Sequence, residues 1–289
     1  MAEAGKVPVQ ESVGAALRFL RENFGFVAAG AGIGAAGLTL VAVASLQAPM
    51  LGLPLALLST FVGAFVYAAF TRGALSGASA VNANLLADGG RVWASMAIVG
   101  FFLFIVFVVL AIPGMIMLGV MIGPRYLADL QAAQGDDAAS LDIMGRIASE
   151  NPVLLLGFAL FYAALWLALT SRLYLAAPAS ADMQRILTFE TWKWTKGNML
   201  RIMGARLMLL GPAYVLVNAL AYLAGVGLGL NVMDPVSTVA FAQSNVALYA
   251  VFSFAVGFIQ ILIYRGLEAG LSAYLYRGLK QQDVSATFS

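Results

Sequence analysis

A chain of 289 residues that is 62% hydrophobic and only 10% charged does not have the composition of a soluble domain, in which about a quarter of residues carry charge. It belongs in a bilayer, and its net charge of +2 provides no global basic field for nucleic acid. Cysteine and histidine are both absent. That removes disulfides, thiolate nucleophiles, His-ligated metal sites and imidazole acid/base catalysis, so the chain reads as non-enzymatic with no cofactor or metal.

Residues 1–23 read as a short tail and a helix with Val9, Val13, Ala16, Leu17 and Leu20 on one face and Glu11, Arg18, Arg21 and Glu22 kept polar. Such a helix lies in the membrane interface and feeds the first span, or is a solvated tail. Six apolar runs follow, at about 24–46, 50–70, 92–123, 152–169, 207–230 and 246–263. Each approaches or exceeds the ~20 residues that a helix needs to cross hydrocarbon. Gly30 and Gly34, with Gly32 and Ala36, give the first run a small face for close helix packing. Pro49 and Pro54 turn the chain tightly into the second. Pro113-Gly114 lies inside the third and should bend it, because proline removes a backbone donor and crowds the preceding turn. A second reading makes that segment a broken helix lining a substrate path.

Residues 124–151 are polar and acidic, with Asp129, Asp136, Asp137, Asp142 and Glu150 against Arg125 and Arg146, and read as a loop outside the membrane. The connector 170–206 is basic instead: Arg172, Arg185, Lys193, Lys196, Arg201 and Arg206 face only Asp182 and Glu190. Within it Phe189, Trp192, Met199, Ile202 and Met203 recur near helical spacing, which predicts a helix lying among headgroups. The sixth run continues as a helical extension through Tyr276 into a short polar tail, 277–289.

Of the 16 Lys and Arg residues, 14 fall on one side if the six runs all cross. The positive-inside rule then places both termini in the cytoplasm. The expected fold is all-α, a polytopic protein of six transmembrane helices with cytoplasmic N and C termini. Each even-numbered run ends in an arginine followed by small residues, Arg72-GALSGASA, Arg172-LYLAAPAS and Arg265-GLEAGLSA. This suggests three pseudo-repeated hairpins.

Arg72, Arg172 and Arg265 at the cytoplasmic edge could snorkel to lipid phosphates, or form a basic ring for an anionic headgroup if the repeats bring them together. Trp192, Lys193, Trp194, Lys196 and Arg201 make up the aromatic and basic surface expected to meet anionic lipid, and a protein partner could dock there instead. The central portions of the runs hold no Asp, Glu, Lys or Arg, although ion and proton pathways usually need one. Asn218 and Gln260 remain as midspan polar groups.

The segment Leu187 to Leu210, LTFETWKWTKGNMLRIMGARLMLL, resembles an element of six-span bacterial membrane proteins of the YciC-like group, which is similar to the membrane domain beside some glycerophosphodiester phosphodiesterases. The resemblance implies a multi-pass protein of the bacterial inner membrane. No phosphodiesterase domain accompanies it, so that activity does not carry over. The expected function is to bind or organise anionic membrane lipids or to scaffold a membrane assembly, with a membrane-protein partner or a homo-oligomer. The alternative is a small-solute or lipid transporter that uses the prolines 113 and 212 with Asn218 and Gln260.

Overall fold

A computed structural model describes residues 6–81, 84–232 and 235–288. Residues 1–5, which begin the expected N-terminal tail, and Ser289, which ends the C-terminal one, lie outside them. The described residues form no strand. Six helical stretches are long and apolar enough to cross a membrane: Phe24–Gln47, Gly52–Ser76, Leu85–Ala132, Pro152–Asp182, Met199–Gly227 and Val246–Lys280. The chain is therefore an all-α, multi-pass membrane protein. It folds as two compact units, Met1–Ala97 with Ser171–Ser289, and Ile98–Thr170.

In the first unit, α1 (Val9–Glu22) and α2 (Phe24–Gln47) meet at Asn23, whose side-chain amide donates to the Phe19 carbonyl at 3.0 Å. Helix α3 (Gly52–Ser76) runs antiparallel to α2, and glycines set the contact. A Cβ on Gly30 would lie 2.5 Å from the Phe70 ring, one on Gly34 2.7 Å from Val66, and one on Gly73 2.6 Å from Phe26. Between two helices in hydrocarbon no hydrophobic force operates, so close backbone approach supplies the attraction through dispersion. Ala31, Ala35, Ala64 and Ala68 fill the same seam and are buried. The first residues of α4 (Leu85–Ala132) continue the layer, with Trp93 stacked on Phe61 at 4.0 Å.

Helix α11 (Val246–Ile259) lies against α2 and passes into a six-residue π-helical segment, Gln260–Arg265, then into α12 (Gly266–Phe288). The expected polar tail from 277 is thus helical as far as Phe288. Helix α1 is not a free tail. It packs along α12, where a Cβ on Gly270 would come within 3.1 Å of the Ala16 backbone, and Ser12 and Ala16 are completely buried.

The connector differs most from expectation. It holds α7 (Ala176–Asp182), with Ala176 to Ala181 all buried, and a single turn, α8 (Thr191–Trp194). Gly197 then takes the left-handed backbone, φ 79°, that a side chain would strain. Helix α9 (Met199–Gly227) starts directly after it. Met199, Ile202 and Met203 therefore belong to the fifth span rather than to an interfacial helix. Ser180 fastens the fold-back: its hydroxyl accepts from the Leu187 amide at 2.9 Å and donates to the Ala176 carbonyl at 2.7 Å. The three arginine-plus-small segments also differ locally. The first ends a helix with Gly77 at φ 87°, the second breaks into α7, and the third runs unbroken along α12. A short helix α10 (Pro235–Ser244) precedes α11.

In the second unit, the expected acidic loop 124–151 is mostly helical. Helix α4 continues to Ala132, Asp136 caps α5 (Asp137–Glu150) by accepting from the Ala139 amide at 3.0 Å, and α6 (Pro152–Arg172) follows. The acids disguise an apolar stripe: Ile122, Tyr126, Ala133 and Ile143 bury one another beside Leu130 and Ile147. Helix α4 stays helical through Pro113 and Pro124. At Pro113 the Tyr162 hydroxyl of α6 donates to the Leu110 carbonyl at 2.7 Å, in the turn whose backbone bonding the proline disturbs.

Gly114 makes room for that phenol, since a Cβ there would sit 2.1 Å from its oxygen. Tyr162→Phe should cost about 0.6–1.7 kcal/mol, the range for interhelical hydrogen bonds in membranes, and Gly114→Ala about 1–3 kcal/mol by overpacking. Because the clash is with the hydroxyl, Gly114→Ala should cost less in the Tyr162→Phe background than in the wild type. Unfolding by SDS titration in bicelles measures this coupling, and strict additivity would contradict it.

Candidate functional site

The basic residues of the first unit fall into two groups, those consumed by the fold and those left exposed. Arg72 belongs to the first. Its Nε donates to Asp88 Oδ2 at 2.8 Å and its NH2 to the Ala181 carbonyl at 2.8 Å, while Arg91 donates to Asp88 Oδ1 at 3.1 Å. Asp88 is 1% exposed. Arg72 therefore ties α3, α4 and α7 together and does not reach out to lipid phosphate.

Arg265 is engaged elsewhere, 2.6 Å from Glu268 and 5.9 Å from the centre of the Tyr67 ring. The Tyr67 hydroxyl donates to Ser272 at 2.8 Å and the Tyr174 hydroxyl to the Glu268 carbonyl at 3.3 Å. Arg206 lies over Tyr174 at 4.7 Å and donates to Ser171 at 2.8 Å. These residues form a polar layer inside the bundle that the sequence reading missed. Its one legible signal was the i, i+3 spacing of Arg265 and Glu268. Arg172 is apart from both, over the Trp192 ring at 4.9 Å. Arg72, Arg172 and Arg265 thus have separate partners and form no ring around a common ligand.

The aromatic and basic cluster divides by face. Thr191 and Thr195 are fully buried, and the Thr195 hydroxyl donates to the Arg172 carbonyl at 3.0 Å. Trp194 turns inward against Tyr276, with ring centres 5.9 Å apart. Arg201 donates to the Val7 carbonyl at 3.3 Å, and the Val7 amide donates to Asn198 Oδ1 at 2.8 Å, so Arg201 holds the N-terminal segment. Lys280 and Tyr276 both reach Asp182 at 2.7 Å. The N-terminal segment, the connector and α12 therefore gather at one pole of the unit.

Arg185, Lys193 and Lys196 stay exposed there, beside Ile186 and Phe189, which are exposed as well. Glu190 shares this surface. Its carboxylate is held below the usual range by its own backbone N–H and then by that of Thr188.

Asn218 and Gln260 do not converge. Both are exposed, and the Asn218 amide donates to the Tyr214 carbonyl of its own helix at 2.8 Å. In the second unit a groove of about 540 Å³ runs beside Pro113, walled by Leu110, Met117, Leu154, Phe158 and Tyr162.

Six apolar helices with ionised groups collected near their ends define a multi-pass helical membrane protein. No family model, curated protein or solved structure matches the chain.

The Arg72–Asp88 contact is 2.7 Å long, with side-chain exposures of 12% and 2%. Removing one partner of a buried pair leaves an uncompensated charge and costs about 3–5 kcal/mol. Asp88→Asn and Arg72→Gln should each destabilise the protein by that amount. The double variant should cost clearly less than the sum, because the two losses share one interaction. Thermal unfolding in detergent reads all three, and single-variant losses under about 1 kcal/mol, the level of an exposed pair, would contradict the assignment.

Proposed function

We propose that this chain is a non-enzymatic protein of the bacterial inner membrane. Its connector pole faces the cytoplasm and organises anionic phospholipid, or scaffolds an assembly at that surface. The observation that supports this reading most is the survival of Arg185, Lys193 and Lys196 as exposed cations beside Ile186 and Phe189, while Arg72, Arg265 and Lys280 are taken up in ion pairs. Cations above an apolar rim match the interfacial layer, where each Lys or Arg near an anionic leaflet contributes about 1 kcal/mol. The resemblance of Leu187 to Leu210 to the YciC-like group agrees with that location. Asn218 and Gln260 lend the transport alternative no support, because each faces outward from its own helix.

The triple variant Arg185→Gln, Lys193→Gln, Lys196→Gln should lose most of its anionic-lipid enrichment when the protein is extracted in native nanodiscs and the retained lipids are quantified by mass spectrometry. Arg201 is left intact because it holds Val7. Enrichment equal to that of the wild type would overturn the reading.

Sidedness has its own test, because the natural chain contains no cysteine. Ser79→Cys, between α3 and α4, should resist a membrane-impermeant maleimide in intact cells with a permeabilised outer membrane. Ser149→Cys, near the end of α5, should react. The reverse pattern would place the connector pole outside.

A further inference from the structure

A groove of about 360 Å³ opens where α1, the end of α3 and α12 meet, and Arg18, Glu22, Gly73, Gly77, Tyr274 and Arg277 contribute to its wall. Its level is set by the spans: α2 begins at Phe24, one residue past Asn23 on the wall, and α3 ends at Ser76, between Gly73 and Gly77. Two adjacent antiparallel spans thus end at the mouth of the groove, at the depth where phospholipid headgroups lie. Leu17, 50% exposed, and Phe24, 56% exposed, offer apolar surface beside it for the upper part of acyl chains.

The charges on the wall have capacity to spare. Arg18 is exposed and makes no hydrogen bond or ion pair with the described residues. Among the described residues Arg277 donates one bond, to the Leu75 carbonyl, out of the five N–H groups of a guanidinium. Among the described residues Glu22 pairs only with Arg21, at 3.9 Å with both side chains largely exposed, a contact worth little. Tyr274 reaches Glu11 at the outer limit of a hydrogen bond, 3.5 Å. The groove therefore presents two cationic groups and one anionic group.

We propose that it seats the headgroup of a phospholipid bearing a primary amine, with the phosphodiester between Arg18 and Arg277 and the ammonium at Glu22. A guanidinium suits a phosphate oxygen pair. The carboxylate selects the zwitterion, because it would repel a headgroup that carries phosphate alone. The proposal rests on the reading that this pole lies in the headgroup layer. It concerns a different lipid class and different residues from the exposed surface of Arg185, Lys193 and Lys196.

The test uses the full chain in detergent, with thermal unfolding followed on addition of phosphatidylethanolamine, phosphatidylglycerol or inorganic phosphate. Phosphatidylethanolamine should stabilise the wild type at lower concentration than phosphatidylglycerol, and inorganic phosphate should not stabilise it. Arg18→Gln removes no hydrogen bond or ion pair among the described residues and should weaken the phosphatidylethanolamine effect about tenfold, the loss of one charge-assisted bond. Glu22→Gln should bring the two lipids level. The Arg185, Lys193 and Lys196 triple variant should keep the phosphatidylethanolamine response, which separates this site from the anionic surface. Equal responses to both lipids in the wild type, a response untouched by Arg18→Gln, or stabilisation by phosphate alone would each overturn the proposal.

Discussion

Asp88 sits between two guanidinium groups with almost no exposure to solvent, and the packing of the first unit around it depends on that carboxylate staying paired. An ionised group in a medium of low polarity must have a counter-charge or the fold around it fails. Here the counter-charges come from α3 and α4, and Arg72 also reaches the backbone of α7. This knot fixes how the connector folds back under the spans. It also decides which cations remain for the surroundings, since an arginine spent on Asp88 cannot also meet a lipid.

The α2–α3 seam is held by close approach rather than by polar contacts. Gly30, Gly34 and Gly73 admit Phe70, Val66 and Phe26 across the α2–α3 seam, at distances that a side chain on any of them would violate. The second unit is built more sparsely. No residue is buried in the most apolar 18-residue window of its α6 span, and only 11% are in that of the α4 span. The Tyr162 phenol and the rings of Phe107 and Trp166 join α4 to α6 midway along this unit. Apolar side chains pointing away from the protein in this number are tolerated only where hydrocarbon replaces water.

The spans were legible because hydropathy over about twenty residues is a strong signal that tertiary context does not reverse. Their ends were not. Helix α4 passes its expected limit because Ile122, Tyr126, Leu130 and Ala133 continue the helical stripe, but Asp129 and the acids of α5 dilute it below notice. The connector misled in the opposite direction. The spacing of Trp192, Met199 and Met203 suits one helix, yet Gly197 splits it, and a single glycine in a polar stretch does not announce its backbone angle. At the candidate site, Lys193 and Lys196 were expected on the surface and are exposed. Arg72, Arg265 and Trp194 were assigned outward roles because charge and aromaticity at a span end fit either direction. Only the partner settles it: Asp88 for Arg72, Glu268 for Arg265 and Tyr276 for Trp194.

The π segment Gln260–Arg265 has a geometric consequence for the last helix. Gly257 and Ile261 meet α2 at Ala35 and Gly34, and Gly266 and Gly270 meet Val27, Leu20, Phe19 and Ala16. The intervals between these four positions are four, five and four residues, and the interval of five falls across the widened turn. A uniform α-helix advances about 100° per residue, so without the widened turn the five-residue step would point Gly266 and Gly270 well away from the face that Gly257 presents. The wide turn acts as a phase adjuster: one continuous rod keeps a single glycine-lined edge while its neighbour changes from α2 to α1.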